Sequence, residues 1–220
     1  DGGYAEYTVA KAKFSYKIVN GFEDEYIAPL LCAGAVGYRS LKLTNIKNGE
    51  PLGFTGFGAS AHIVLKFAKI LYPKTPIFVF ARSEREREFA LNLGANWTGD
   101  IEETPPEKIK AIIDTTPVFK PIIYSLVNLE KGGRVVINAI RKEDIDKNEL
   151  LSLNYEKHLW LEKEIKSVAN VTRKDVEECL SIAFLNQIKP EIEIYSFENA
   201  KKALLEIKEK KIRGAKVLIV

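Results

Sequence analysis

An α/β fold built on a parallel sheet is the fold class that this 220-residue sequence predicts, and three observations support it. Strand-like and helix-like segments alternate from residue 52 onward. Several apolar runs end in glycine or small polar residues, and the helical segments carry a wide apolar face. Strands that alternate with helices imply right-handed βαβ units. With 46% hydrophobic residues, the chain is long enough to bury one or two cores.

The first elements lie before this alternation begins. Residues 6–10 and 14–18 alternate between apolar and polar side chains, which predicts two short strands. The small-residue stretch "LLCAGAVGYRSLKL" follows Pro29 and has helical character. The opening "DGGYAEYTVA" reads as a glycine turn that enters a strand. We therefore expect the chain to start inside a larger polypeptide.

The alternation itself supplies the sheet. Its first part reads strand "LGFTGFG", helix "ASAHIVLKFAKIL", strand "IFVFA" and helix "SEREREFALNLGA". Ala61, Val64, Leu65, Ala68 and Leu71 recur at helical spacing, as expected for a helix that packs on a sheet. "AIIDTTP", "GGRVVINAI" and "EIKSVAN" predict three further strands, and the tail predicts an amphipathic helix, a glycine turn and a final strand.

Composition excludes several classes of protein. The chain carries 33 basic and 30 acidic residues spread along its length, so no strong field recruits nucleic acid or an anionic membrane. Its apolar runs are far shorter than the roughly 20 residues that cross a bilayer, and no signal-peptide pattern opens it. A cytoplasmic location is expected. Cys32 and Cys179 lack CxxC spacing, which argues against a disulfide framework and a structural zinc knot.

The stretch "PLGFTGFGASAH" predicts a phosphate-binding glycine loop. Aligned to GxGxxG, Gly53 and Gly58 take the outer places and Thr55 the middle place, with Gly56 and Phe57 between Thr55 and Gly58. A strand ends here and a helix begins, so free N–H groups and the helix dipole face an anion. Gly56 keeps the backbone accessible, and Thr55 is expected to donate its hydroxyl. We predict a dinucleotide site in a Rossmann-type, doubly wound sheet; the alternative is a turn whose glycines serve packing only.

The second strand bears on the choice of cofactor. NAD sites place an acidic residue at its end to bind the ribose 2′-OH, whereas NADP sites remove that charge and bring in arginine. Here "IFVFARSERER" puts Ala81 in the acidic place, followed by Arg82, Ser83 and Arg85. NADP(H) is therefore favoured over NAD(H). The alternative is a helix cap at Ser83 followed by solvent-facing charges, and Ser83 is able to serve both purposes.

Several motifs in order resemble the zinc-dependent medium-chain alcohol dehydrogenases. They are "DGGYAEY", "APLLCAGAVGYRSL", "GFTGFGASAH" with "REFALNLGAN", "SVANVTR" and "GAKVLIV", and together they cover essentially the whole chain. The resemblance implies that residues 30–169 form the dinucleotide domain. Residues 1–29 and 170–220 are then part of a barrel-like (GroES-like) catalytic domain. The family's N-terminal stretch, with its other two catalytic-zinc ligands and its structural-zinc lobe, has no counterpart here.

The resemblance also implies site residues and an activity. Cys32 in "LLCAG" matches a catalytic-zinc ligand, and Zn²⁺ would act as a Lewis acid while hydride passes between an alcohol or aldehyde and NAD(P). The family's adenosine, nicotinamide and pyrophosphate contacts correspond to Thr115, Asn138, Ala139, Val168, Ala169, Asn170 and, two residues out of register, Arg213. Ordinary turn and cap chemistry is the alternative for these positions. The family pairs its cofactor domains edge to edge, which implies a homo-oligomer.

Other interpretations stay open at this stage. Cys32 is otherwise a small buried apolar residue, and Cys179 is best explained as core. His62 and His158 have no ligand-like neighbour at i+3 or i+4 and read as packing or surface histidines. The chain could be a truncated dinucleotide-binding module without catalysis. A zinc-free quinone reductase of the same superfamily is disfavoured by Cys32.

Overall fold

A six-stranded parallel sheet forms the centre of the protein. The computed structural model describes residues 4–18, 21–209 and 213–220. The strands of the sheet are β1 (Leu52–Thr55), β2 (Ile77–Phe80), β3 (Trp97–Gly99), β4 (Ile109–Asp114), β5 (Leu129–Ile137) and β6 (Glu164–Ser167). Their spatial order is β3-β2-β1-β4-β5-β6, and every pair is parallel. This is the doubly wound order of dinucleotide-binding folds, in which the strand order reverses between β1 and β4.

Seven α-helices and a second, two-stranded sheet complete the described architecture. The helices are α1 (Asp24–Pro29), α2 (Ala35–Thr44), α3 (Ala59–Leu71), α4 (Glu84–Asn92), α5 (Lys120–Asn128), α6 (Arg173–Leu185) and α7 (Ala200–Lys208). A π-helical turn, Leu30–Gly34, joins α1 to α2. Strands β7 (Ile192–Ser196) and β8 (Ala215–Ile219) pair in parallel in the second sheet. No helix in the described ranges has the length and apolar character needed to cross a bilayer.

The central strands of the sheet are buried on both faces, whereas the edge strand β6 is exposed. All residues of β1 and β2 are buried, as expected for parallel strands covered by helices. The stripe predicted for α3 is confirmed, since Ala61, Val64, Leu65 and Ala68 are fully buried and Leu71 is half-buried. The edge strand β3 was not anticipated in the sequence, because it has only three residues and is only partly buried.

The two strands predicted near the N-terminus are wrong. Residues 6–10 and 14–18 contain no strand, and a short 3₁₀ turn, Ala12–Phe14, lies between them. Tyr7 and Val9 are almost fully exposed. An alternating pattern forms a strand only beside another strand that supplies hydrogen-bond partners, and none of the described strands pairs with this segment.

Candidate functional site

The glycine loop follows β1 directly, and its tight turn lies at Gly56. Gly56 has φ +75°, so it makes the tight turn, and its N–H donates to the Phe80 carbonyl at 2.8 Å. Gly58 caps α3, and a methyl group placed on it would meet no heavy atom within 4 Å. Ala61 is fully buried where the helix packs on the sheet. Gly56, Gly58 and Ala61 therefore also match G-x-G-x-x-A, three residues after the register predicted from Gly53.

Gly53 and Thr55 serve the sheet instead of the turn. A methyl group on Gly53 would lie 2.8 Å from the Ile112 Cγ1, so glycine allows β4 to pack closely beside β1. Thr55 is buried, and its hydroxyl donates to Asp114 Oδ1 at 2.7 Å. The expectation that this hydroxyl faces a phosphate is therefore wrong in this structure. Thr55 is the last residue of β1, directly before the turn at Gly56.

Asp114, the last residue of β4, is the centre of a buried polar network. Its Oδ1 also accepts from the Thr116 hydroxyl at 2.7 Å and from the Thr116 N–H at 3.1 Å. Its Oδ2 pairs with Lys142, whose ammonium donates further to the carbonyls of Thr116 at 2.8 Å and Val118 at 2.9 Å. This network fixes the loop after β4 against the loop after β5. Sequence reasoning missed Lys142, because it lies in irregular chain with no pattern to mark it.

Predicted contact residues from three neighbouring strands meet at the carboxyl edge of the sheet. The Thr115 hydroxyl donates to the Thr55 carbonyl at 3.0 Å. Asn138 Nδ2 donates to the Ser60 hydroxyl at the start of α3, at 3.0 Å. The Val168 N–H, just after β6, donates to the Ile137 carbonyl at 2.9 Å. Beyond these lie Ala139, which is half-buried, and Ala169 and Asn170, which are exposed.

At the end of β2 the structure separates the predicted residues. Arg82 is exposed beside the buried Ala81. Ser83 caps α4 in a reciprocal capping box with Glu86, so the cap expected as the alternative is present. Arg85 lines a cleft against β7 and α7. Arg87, which the sequence did not single out, donates to the Ala81 carbonyl at 2.9 Å and holds the strand end in place.

Arg213 is connected to the glycine loop indirectly, through two aromatic rings that contact each other. Its guanidinium carbon is 5.0 Å from the centre of the Phe89 ring. That ring meets Phe57 of the loop edge to face at 5.5 Å, and His62 at 5.9 Å. Aromatic faces attract cations, so this arrangement holds a positive charge near the loop.

Both histidines are buried, which agrees with the packing alternative of the sequence analysis. His62 is fully buried, and burial lowers its pKa to about 4. His158 is also buried, which lowers its pKa, and its ring hydrogen-bonds the backbone of Asn154. Cys179 is core, as predicted: it is fully buried and burial raises the pKa of its thiol to about 12.

Cys32 lies on the π-helical turn between α1 and α2 and is exposed. It lines a groove of about 330 Å³ together with Phe197, Leu204 and Val217. The neighbouring Ala33 carbonyl accepts from the Ser60 hydroxyl at 2.9 Å, so the turn is joined to the start of α3. The backbone of this turn therefore lies against the start of α3, while the exposed thiol faces the groove beside α7 and β8. The residues that the structure describes contain no group of three or more His, Cys, Asp or Glu side chains able to hold a metal.

Sequence comparison relates the whole chain to alcohol dehydrogenases. It is 38% identical over 220 residues to a probable alcohol dehydrogenase, AdhA, of Mycobacterium tuberculosis, covering 100% of this chain and 62% of the relative. It is 28% identical over 229 residues to an alcohol dehydrogenase of Geobacillus stearothermophilus, covering 99% of this chain and 64% of the relative. The chain thus spans less than two thirds of these relatives. No protein-family model matches the sequence.

Solved structures agree on the fold. The acetophenone reductase of Geotrichum candidum, solved with NAD, superposes with a TM-score of 0.82 at 20% identity, covering 99% of this chain and 62% of its own. The enzyme named CAD from Helicobacter pylori, solved with NADP(H), gives a TM-score of 0.78 at 22% identity, covering 91% of this chain and 56% of its own. At these identities the likeness concerns architecture alone, and it matches the Rossmann-type sheet described above.

Proposed function

Because this chain corresponds to the C-terminal portion of zinc-type medium-chain alcohol dehydrogenases, we propose that it is the cofactor-binding part of an oxidoreductase. The enzyme would transfer hydride between a small alcohol or aldehyde and NAD(P). Residues 30–169 form its dinucleotide domain in this proposal, and 1–29 with 170–220 contribute to the catalytic domain. The observation that carries the proposal is the glycine loop, with open space over Gly58, at the point where the strand order reverses.

The pyrophosphate of the dinucleotide would bind at the start of α3. Gly56 turns the chain and Gly58 leaves room for the phosphates, so the N–H groups at the helix start are able to face the anion. Arg213 adds a positive charge at the same loop. Phe57 packs the loop against α4 through its contact with Phe89.

The rest of the cofactor would lie along the carboxyl edge of β4, β5 and β6. Thr115, Asn138 and the backbone of 168–170 border this edge, and hydrogen bonds hold the first two in place. A nicotinamide cofactor supplies the hydride acceptor or donor when it is bound. The contribution of this chain is to fix the position of the cofactor, since a rigid edge loses less entropy on binding.

Metal binding needs more than the described residues provide. Cys32 is exposed and offers one thiolate, whereas a catalytic zinc site takes three protein ligands. The described residues alone do not fit a complete site, so no chemical step is derived through zinc. Cys32 would serve as one ligand of a zinc ion completed by residues outside the described part. We expect the 220-residue chain alone to lose zinc on dialysis against a chelator; tight, stoichiometric zinc would contradict this assignment.

A preference for NADP(H) over NAD(H) is part of the proposal. Ala81, which is not acidic, directly follows β2, and Arg82 is exposed beside it. We expect tighter binding of NADPH than NADH in calorimetric titrations, and Arg82→Ala should remove the difference. Lys131→Ala is the control, because this exposed cation lies near the start of β5, at the opposite edge of the sheet, and should leave the preference unchanged. Equal affinities of the parent chain for both cofactors would refute the preference.

Gly58→Ala tests the proposed site itself. The added methyl group meets no protein atom and Gly58 has a negative φ, so the fold should tolerate it. The same methyl group would occupy the space that the pyrophosphate needs. We expect a loss of NADPH affinity of about tenfold or more, with a melting temperature lowered by at most about 4 °C from weaker helix capping. Unchanged affinity would contradict the placement of the pyrophosphate at this loop.

A further inference from the structure

His62 connects the glycine loop to the second sheet. It lies on α3, and its Nδ1 is 3.2 Å from the carbonyl oxygen of Gly58, the open residue of the loop. Its Nε2 is 3.1 Å from the backbone nitrogen of Glu191, which immediately precedes β7. One side chain therefore touches the main chain of both the loop and the segment that enters the second sheet.

These two contacts define the state of the imidazole. A backbone N–H is only a donor, so the Nε2 facing Glu191 must be the unprotonated acceptor. Nδ1 then carries the hydrogen and donates it to the Gly58 carbonyl. Burial favours the neutral ring and lowers its pKa to about 4. His62 is thus neutral, in a single tautomer, at physiological pH.

Glu191 in turn determines where Arg213 lies. The Glu191 carbonyl accepts from the Ala215 N–H at 2.8 Å. A methyl group on Gly214 would come within 2.1 Å of that carbonyl oxygen, so the two segments are in direct contact. Arg213 directly precedes Gly214, and its guanidinium packs over the Phe89 ring, which also contacts the His62 ring. Any shift of Glu191 would be passed to Arg213 through this contact.

Simple packing does not account for this arrangement. An apolar ring would fill the same volume, but His62 satisfies two main-chain groups that belong to different parts of the chain. Lys66 adds a second, partly exposed link, because its ammonium lies 2.9 Å from the Glu191 carboxylate and 2.6 Å from the Lys189 carbonyl. The charged groups around the imidazole are therefore Lys66, Glu191 and Arg213, and none of them bonds to its ring through a side chain.

We propose that His62 is a positioning residue that holds Arg213 beside the dinucleotide loop, so that the affinity Arg213 contributes depends on the His62–Glu191 hydrogen bond. The proposal rests on the proposed dinucleotide function. It adds a residue that acts on the cofactor only through another residue. By reciprocity, a cofactor bound to both the loop and Arg213 must strengthen the His62–Glu191 contact.

Two substitutions separate the two hydrogen bonds of His62. Glutamine places its carbonyl oxygen near the position of Nε2, so His62→Gln keeps an acceptor for Glu191. Asparagine places its amide near the position of Nδ1, so His62→Asn keeps the donor to Gly58 and loses the bond to Glu191. Both remove the imidazole and are similar in polarity. A difference between the two variants therefore reports the loss of the Glu191 hydrogen bond, because both lose the buried imidazole ring.

The test is a double-mutant cycle on NADPH binding by the 220-residue chain, measured by calorimetry. Arg213→Ala should weaken binding about tenfold in the parent and in His62→Gln, as expected for a lost charge-assisted contact. In His62→Asn the same change should cost less than about twofold. An equal loss in all three backgrounds would overturn the positioning role while leaving the proposed function intact. A parent chain that binds neither NADPH nor NADH would overturn both.

A second measurement covers the possibility that His62→Asn does not fold. Hydrogen exchange of the Glu191 amide is followed in the parent chain with and without NADPH. The cofactor should slow this exchange, and Arg213→Ala should abolish the slowing while leaving the exchange of β1 amides unchanged. Slowing that persists in Arg213→Ala, or that is absent in a parent chain which binds NADPH, would overturn the proposal.

Discussion

The six-stranded sheet and the second sheet are stabilised in different ways. In the first, large side chains such as Phe54, Phe80 and Ile112 are almost completely buried. In the second sheet and α7, Ile194, Leu204, Leu205 and Ile207 are each more than 40% exposed. The region around the six-stranded sheet therefore has a buried hydrophobic core, whereas the second region presents much of its apolar surface. A site that requires accurate positions is expected on the first region, which is where the loop and the strand ends lie.

In the second region, where few apolar side chains are buried, charge-assisted hydrogen bonds join the strands and α7. The Lys216 ammonium on β8 donates to Glu193 on β7, to Glu206 on α7 at 2.6 Å and to the Tyr195 hydroxyl at 2.6 Å. Burial alone would lower the pKa of Lys216, but these carboxylates raise it. The network around Asp114 in the first region differs from the Lys216 network, because Asp114 is fully buried among apolar side chains.

Asp114→Asn is expected to have the largest effect. It leaves the Lys142 ammonium in a mostly buried place without its carboxylate, which costs about 4 kcal/mol of unfolding free energy. Asp144→Asn is the matched control, because its pair with Lys147 is exposed and should be worth less than about 1 kcal/mol. Urea denaturation of the two variants measures both values. Similar losses of unfolding free energy in the two variants would show that the buried Asp114 pair contributes no more stability than the exposed Asp144 pair.

Truncation of a leucine in each region comes next. Leu52 on β1 is fully buried, and Leu52→Ala should cost about 3 kcal/mol through lost burial and the cavity it leaves. Leu205 on α7 is 47% exposed, and Leu205→Ala should cost less than about 1 kcal/mol, partly offset by the helix propensity of alanine. Chemical denaturation compares the two variants directly. A cost for Leu205→Ala equal to that for Leu52→Ala would mean that the second region has a core of its own.

The free energy of unfolding should also decrease as the pH is lowered, because of His62, which joins the two regions. The folded pKa is about 4 and the ordinary value is 6.5, so the unfolded chain binds more protons between these values. The stabilisation is complete above the ordinary pKa and is lost as pH falls from 6.5 toward 4. Between pH 8 and pH 5 the loss is about 2 kcal/mol. Denaturation at both pH values should show this loss in the parent, reduced by that amount in His62→Gln. An identical pH dependence in both would contradict the assignment of a neutral, buried imidazole.

The sequence was sufficient to predict the parts of the fold that depend on local patterns. The apolar stripe of α3 and the runs in β1, β2, β4 and β5 predicted the parallel sheet, because burial on both faces leaves continuous apolar stretches. The sequence predicts the glycine loop but leaves two registers compatible with it, since Gly53 and Gly56 each stand five residues before a small residue, Gly58 or Ala61, that fits the third place of the motif. Only backbone geometry distinguishes a glycine at φ +75° from one required for strand packing.

Long-range pairs were beyond sequence reasoning. Lys142 reaches Asp114 across two loops, and His62 reaches Glu191 across 129 residues. No local pattern marks such pairs, although a histidine four residues after the loop glycine is compatible with a bond to its carbonyl. The same holds for residues 6–10 and 14–18, whose alternating pattern was sufficient to suggest strands but provides no pairing partner.

A crystal structure of this chain with NADPH tests the central claim most directly. We expect the pyrophosphate to bind the backbone N–H groups that follow Gly56 and to contact the Arg213 guanidinium. The nicotinamide half should lie along the edge formed by Thr115, Asn138 and Val168. NADPH bound elsewhere, with the space over Gly58 empty at saturating cofactor, would contradict it.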